Sequence, residues 1–309
     1  CGDTKLEIAM KSVLVIVLAA ALAACASTRF DVPALVAPGE GSALPGKIVW
    51  HDLLSDTPDQ TMAFYGALFG WEFEPLDVIG ANYTLIRHQG RLIGGMVDQN
   101  RLATSADISQ WVVVLSVADV ERATTTLLDA GGTVFTPPTS LGDRGTISVV
   151  ADPQGAVLAL LQTGGNDPLD NDVDTPVGGF LWDELWTGDA SKAVGLYRGL
   201  AGFDLEQMEA GAEQAPVAYN VLSSQGMPRL GIRQRPADDL PPTWASYLRV
   251  ADAAGLSDIL ARVETLGGRV LMPLTERPRG GHVAVIAGPS GAGIALQTWP
   301  LPDQLASTR

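Results

Sequence analysis

A tryptophan and a carboxylate two residues apart occur twice in this chain, as Trp50 with Asp52 and as Trp182 with Glu184. Both pairs sit in runs that alternate like a strand, where residues two apart point to the same face. Trp50, Asp52 and Leu54 therefore share one face, and Val49, His51 and Leu53 share the other. In the second copy Trp182, Glu184 and Trp186 oppose Leu181, Asp183 and Leu185. An indole stacks on planar or cationic groups, and a carboxylate accepts hydrogen bonds or positive charge. Burial beside the indole would raise the carboxylate's pKa toward the range a general base needs. The competing reading is structural: the indoles fill space, and each carboxylate bonds a neighbouring arginine such as Arg87 or Arg229. The spacing alone leaves both open.

The elements that must position these pairs form an internal duplication. Ile48-Val-Trp-His-Asp-Leu-Leu-Ser-Asp followed by Ala63-Phe-Tyr-Gly-Ala-Leu-Phe-Gly-Trp is echoed by Phe180-Leu-Trp-Asp-Glu-Leu-Trp-Thr-Gly-Asp and Val194-Gly-Leu-Tyr-Arg-Gly-Leu-Ala-Gly-Phe, at a constant offset of 132. Each copy divides again. In the first, Ile48–Leu54 reads as a strand and residues 60–69 as a helix started by Thr57 or Asp59 and stopped by Gly70. Strands follow near 71–75, 82–88 and 92–97. A second module repeats the order, with strands at 111–117, 133–136, 145–151 and 157–162 and a helix from Asp119 to about Ala130. The third spans 180–233, and the fourth opens at Trp244, eight residues before Asp252 as Trp111 is before Asp119. Four βαβββ modules in two tandem pairs is an α+β arrangement. One module has an apolar face it cannot cover alone, and two can pair to enclose a cleft.

Few other residues carry chemistry. Tyr83 and Tyr219 fall on equivalent strands and either face the clefts or fill the core. His51 lies on the face opposite Asp52 and reads as structural. His88 stands beside a turn and is expected at the surface. His282 occupies the place of Thr146 in the fourth module; it can line a cleft, but without a partner it is a lone base. No Ser-His-Asp or Cys-His spacing stands out. Gly94-Gly95 and Gly291–Gly293 lack the strand–loop–helix setting that cradles phosphate.

The chain has 309 residues, is 46% hydrophobic and carries a formal charge of −15. It has enough apolar content for packed cores, and its charge opposes nucleic acid and anionic lipid surfaces as partners. Its two cysteines, Cys1 and Cys25, lie outside the modules, so no disulfide framework is expected there. Met10-Lys11 and the apolar run Val13–Leu22 read as a signal peptide, too short to span a bilayer. Residues 1–9 read as an upstream extension. The run ends Leu22-Ala-Ala-Cys25, which resembles a bacterial lipobox, making Cys25 the expected lipidation site and a lipid anchor the expected membrane link. Ala26 after the cysteine favours the outer membrane, facing the periplasm. The expected organisation is a signal segment over 1–25, a flexible tether over 26–46, a first domain over 47–163, a linker over 164–179, a second domain over 180–299 and a tail over 300–309.

The Trp50-His-Asp-Leu start, the Phe64-Tyr-Gly-Ala-Leu-Phe-Gly-Trp71 run, the Asp152-Pro-Gln-Gly-Ala156 turn and the paired Gly-Gly elements resemble the vicinal oxygen chelate superfamily, which includes glyoxalase I, bleomycin-resistance proteins and extradiol dioxygenases. The resemblance spans about residues 47–299 and implies two glyoxalase-like domains, each of two βαβββ modules. It directs Trp50, Asp52, Trp182 and Glu184 toward the clefts. It also places the family's metal ligands at Trp50, Val112, Trp182 and Ala245 on first strands, and at Ala159 and Ala295 on last strands. None of these ligates through its side chain, so no metal cofactor is expected. The implied function is binding or sequestration of a small molecule, with Trp50, Asp52, Tyr83, Trp182, Glu184, Tyr219 and His282 as candidate contacts. A lyase or isomerase using a cleft carboxylate or an unrecognised metal site is the alternative, and a non-catalytic interaction scaffold is a third reading. Nothing in the sequence speaks to oligomeric state.

Overall fold

The structure is a computed structural model that describes residues 32–76, 83–102, 106–170, 175–208, 219–277 and 280–298. The expected signal segment, the Cys25 lipidation site and the C-terminal tail lie outside the described residues.

The first half holds β2 (Ile48–Ser55), α1 (Pro58–Phe69), β3 (Glu72–Pro75), β4 (Tyr83–His88), β5 (Arg91–Asp98), β6 (Gln110–Ser116), α2 (Val120–Asp129), β7 (Thr133–Ser140), β8 (Thr146–Ala151) and β9 (Val157–Gln162). The second half repeats this with β11 (Phe180–Thr187), α3 (Ala190–Ala201), β12 (Asp204–Met208), β13 (Tyr219–Ser224), β14 (Met227–Gln234), β15 (Thr243–Val250), α4 (Ala253–Val263), β16 (Arg269–Glu276), β17 (His282–Ala287) and β18 (Gly293–Thr298). The four βαβββ modules are therefore present.

Each half is one eight-stranded sheet, in the orders β3-β4-β5-β2-β6-β9-β8-β7 and β12-β13-β14-β11-β15-β18-β17-β16. The first strands of paired modules meet antiparallel at the centre, with Asp52 opposite Val112 and Glu184 opposite Ala245. Modules thus pair within a half. The hydrophobic cores do not: Leu53, Phe64 and Tyr65 of the first module pack with Leu248, Ile286 and Leu296 of the fourth, while Leu115, Leu127 and Leu158 of the second pack with Tyr197, Leu222 and Ile232 of the third. The two sheets turn their helix-bearing faces to each other. Their opposite faces form two cups.

Local chemistry explains the helix ends. Asp119, Asp189 and Asp252 accept from the backbone N–H three residues on, satisfying donors that the first helical turn leaves free. Thr57 occupies the N-cap of α1, but its side chain makes no capping bond; Ser55 Oγ instead accepts from Thr57 N at 3.1 Å. Gly70 ends α1 at φ 70° and Gly202 ends α3 at φ 67°, a backbone region that favours glycine.

The segment expected as a flexible tether is packed in its described part. Val32, Leu35 and Leu44 are buried. Gly41–Ser42, strand β1, pairs with β10 (Asp167–Pro168) of the linker. Leu44 N donates to Asp167 Oδ2 at 2.7 Å, an oxygen that also accepts from Ser116 Oγ. Three apolar side chains find exposed apolar surface here, which composition could not show. The linker is anchored as well, by Asp170 bonded to Arg229 and Lys47 and by Trp71 Nε1 donating to Gly178 O.

Candidate functional site

In the first cup, β2 presents Trp50 and Asp52, and β4 presents Tyr83. Trp50 Nε1 donates to Asp52 Oδ1 at 2.9 Å and lies 2.9 Å from the Tyr83 hydroxyl, which itself donates to Asp52 Oδ1 at 2.5 Å. Gly95 on β5 makes this triangle possible, since a Cβ there would overlap the Tyr83 hydroxyl and crowd Asp52. Burial pushes the Asp52 carboxyl up; the Tyr83 hydrogen bond, the Arg144 charge and the Trp50 bond pull it back only in part. Burial and the adjacent carboxylate push the Tyr83 phenol up, so it stays a donor. Arg144 follows β7 and is only 4% exposed. Its guanidinium lies 4.2 Å over the Trp50 ring, Nη1 donates to Tyr83 Oη at 3.3 Å, and Nη2 is buried without a partner. The apolar floor is Leu54, Val112, Val114, Phe135, Val149, Ala159 and Leu161.

The second cup keeps two sides of the triangle and adds further donors to its carboxylate. Trp182 Nε1 donates to Tyr219 Oη at 2.7 Å, and Tyr219 donates to Glu184 Oε1 at 2.8 Å. Glu184 Oε2 accepts from Trp186 Nε1 at 2.9 Å and from Tyr247 Oη at 2.8 Å. Gly231 is the counterpart of Gly95, clearing space for the Tyr219 hydroxyl. Burial first, then Glu184, pushes both phenols up, so they remain donors to it. Arg277 reaches the same cup and donates to Gln297 Oε1. The walls are Ala245, Ala295, Val283 and Val285.

Six of the seven expected contacts are brought together in these two groups: Trp50, Asp52 and Tyr83 in one, Trp182, Glu184 and Tyr219 in the other. His282 is not among them. On β17 it alternates with Val283 and Val285, which face the cup, so its side chain lies on the other face. His88, expected at the surface, is buried, with Nε2 at 2.8 Å from Val177 O of the linker. The linker covers it, a contact 89 residues away that no turn signal reveals. His51 is buried between the halves, stacked on Phe180 at 3.6 Å and bonded to Asp183. Neither expected arginine serves the cup carboxylates: Arg87 pairs with Glu74, and Arg229 pairs with Asp170.

Sequence reasoning missed Arg144, Tyr247, Arg277 and Gln297. Tyr247 was recoverable from strand pairing, since it stands across from Trp182. Arg144 and Arg277 come from loops, whose direction has no period.

The family metal positions converge as the resemblance implies, with Trp50, Val112 and Ala159 on the first cup face and Trp182, Ala245 and Ala295 on the second. Their side chains offer no ligating atom. The nearby Glu184 oxygens already accept three hydrogen bonds, and among the described residues no three His, Cys, Asp or Glu side chains form a metal-holding group. These residues do not fit a divalent metal.

Residues 49–161 match the family described as the glyoxalase-like domain. The second half repeats the same order of strands and helices, so the fold is that of two glyoxalase-like domains. It is 29% identical over 259 residues to the protein named "Putative glyoxylase CFP32" of Mycobacterium tuberculosis, covering 82% of this chain and 95% of that protein. It is 27% identical to the anthracycline biosynthesis protein DauV of a Streptomyces species, over 82% of this chain and 93% of that one. Among solved structures, the Mn(II)-bound glyoxalase from Novosphingobium aromaticivorans superposes with TM-score 0.56 at 14% identity, over 84% of this chain and 82% of that one. The 2,3-dioxygenase LapB from a Pseudomonas species gives 0.55 at 14%, over 85% and 95%. At these identities the structures share the fold.

Proposed function

We propose that this chain binds a small, largely apolar molecule in the cup of its second half, without a metal, while anchored to the cell envelope through lipid on Cys25. One observation carries the binding reading: the second cup is lined by aromatic groups whose polar atoms are bonded to one another, yet part of its described wall is exposed. Leu271 on its wall is 52% exposed, whereas Phe135, the corresponding residue of the first cup, is 7% exposed. Trp182, Trp186 and Tyr219 are half-buried around it. Apolar walls with a few fixed polar groups are what small-molecule sites use. Arg277 and Gln297 supply the polar end. The relatives' names range from a glyoxylase to anthracycline biosynthesis, so they set no single reaction.

The test is a calorimetric titration of the full chain with naphthoate, a planar carboxylate. Binding is expected, with Trp182→Ala weakening it at least about ten-fold, roughly 1.4 kcal/mol. Equal affinity in the variant would remove this cup as the site.

One observation favours a lyase or isomerase as the second reading. Both hydrogen bonds to Asp52 go to Oδ1, leaving Oδ2 uncommitted on a carboxyl whose pKa is raised. Turnover of an adduct between an α-oxoaldehyde and a thiol, lost in Asp52→Asn, would establish it. Turnover that survives the change would exclude Asp52 as the base.

A further inference from the structure

The first cup is closed by the chain's own segment Val32–Glu40. Leu35 joins the cluster of Trp50, Leu54, Val112 and Val114 on the cup floor. Val32 N lies 3.4 Å from Leu141 O at the rim, and Arg144 Nε donates to Pro33 O at 3.0 Å. From Gly41 onward the chain is held by other means, through β1 with β10 and Leu44 with Asp167. Gly39, at φ 84°, bends the chain between the two regions. The strap can leave the cup while the residues after it stay in place.

The strap's contacts resemble those of a ligand. An acceptor oxygen sits on Arg144, and an apolar group sits on an apolar floor. The match is incomplete at one atom. Nε and Nη2 form one edge of the guanidinium fork, suited to two oxygens of a carboxylate. Pro33 supplies a single oxygen to Nε, and Nη2 is left buried with no acceptor. A buried donor without a partner is costly, by about 1–3 kcal/mol and more when charged.

We propose that the first cup is a latent binding site for an apolar carboxylate, occupied by the strap in the closed state and opened when such a ligand displaces it. The carboxylate takes the Nε and Nη2 edge of Arg144 in place of the Pro33 carbonyl. The hydrophobic body takes the place of Leu35 against Trp50, Val112 and Val114. Closure lowers the apparent affinity by the fraction of molecules that are open. If that fraction lies at about one in ten to one in a hundred, releasing the strap strengthens binding by about ten- to a hundred-fold.

Leu35→Asp places a charge against the apolar floor and releases the strap. In the full chain, calorimetry with naphthoate is expected to show tighter binding at the first cup in this variant than in the wild type, by about ten- to a hundred-fold. Adding Arg144→Met abolishes that gain. A folded Leu35→Asp protein with no gain in affinity, or with a gain that survives Arg144→Met, overturns the proposal. If Leu35→Asp does not fold, amide exchange of the wild type decides. Residues 34–37 exchanging faster at saturating naphthoate supports displacement, and unchanged exchange refutes it. The second cup is read separately through Trp182→Ala, so a wild type that binds nothing there leaves this comparison intact.

Discussion

Glu184 and Asp52 hold equivalent positions and differ in how completely their neighbours satisfy them. Glu184 uses both oxygens on Tyr219, Trp186 and Tyr247. Asp52 uses only Oδ1 and sits with its pKa above the ordinary 3.8. The folded protein therefore holds the Asp52 proton more tightly than the unfolded chain does. Ionised Asp52 opposes folding, and that penalty is absent below the unfolded value and fully present above the raised one. Asp52→Asn should gain thermal stability relative to wild type as pH rises from about 3.8 toward neutrality. A melting-temperature difference that does not change with pH would count against this. The alternation of Trp50 with Asp52 and of Trp182 with Glu184 made these groups readable in the sequence, because a strand's period fixes which side chains share a face. Arg144 was not readable, since a loop residue's reach depends on backbone turns around Gly142 and Gly145.

At the scale of elements, the strands β2 and β11 touch across the junction of the halves. His51 Nε2 lies 3.0 Å from Asp183 Oδ1, Ser246 Oγ donates to the same oxygen at 2.6 Å, and His51 stacks on Phe180. Both ring and carboxylate are nearly excluded from water. Asp183→Ala would strand the imidazole and the Ser246 hydroxyl, and is expected to cost about 2–4 kcal/mol. Chemical denaturation would measure it; a loss within about 0.5 kcal/mol, as for a surface change, would mean the junction relaxes around the gap. The strands and helices themselves were legible, because each has its own period and stop signal. The strap was not. Its residues are rich in Pro, Gly and Ala, have no period, and are ordered by surface that lies more than a hundred residues away, at Leu141 and Arg144.

For the whole molecule, the duplication announced four modules and two sheets, but not that the cores would form between halves. Sequence periodicity identifies an apolar face without naming its partner. The strap also bears on the proposed anchor. Val32 is already seated at the cup rim, so only residues 26–31 separate it from Cys25, a reach of at most roughly 25 Å when fully extended. An anchored molecule would hold its first cup near the lipid surface. Partition into a detergent phase, abolished by Cys25→Ser, is the expected behaviour; a wild type that stays in the aqueous phase would remove the anchor. The contact of His51 with Asp183 carries a consequence for the pairing of the halves. The two positions are each other's counterparts at the offset of 132. In a symmetric pair of identical subunits, one residue type would have to face itself across the axis, carboxylate to carboxylate or imidazole to imidazole. A complementary pair requires two copies that differ at this position, so the contact fixes which half takes which side of the junction.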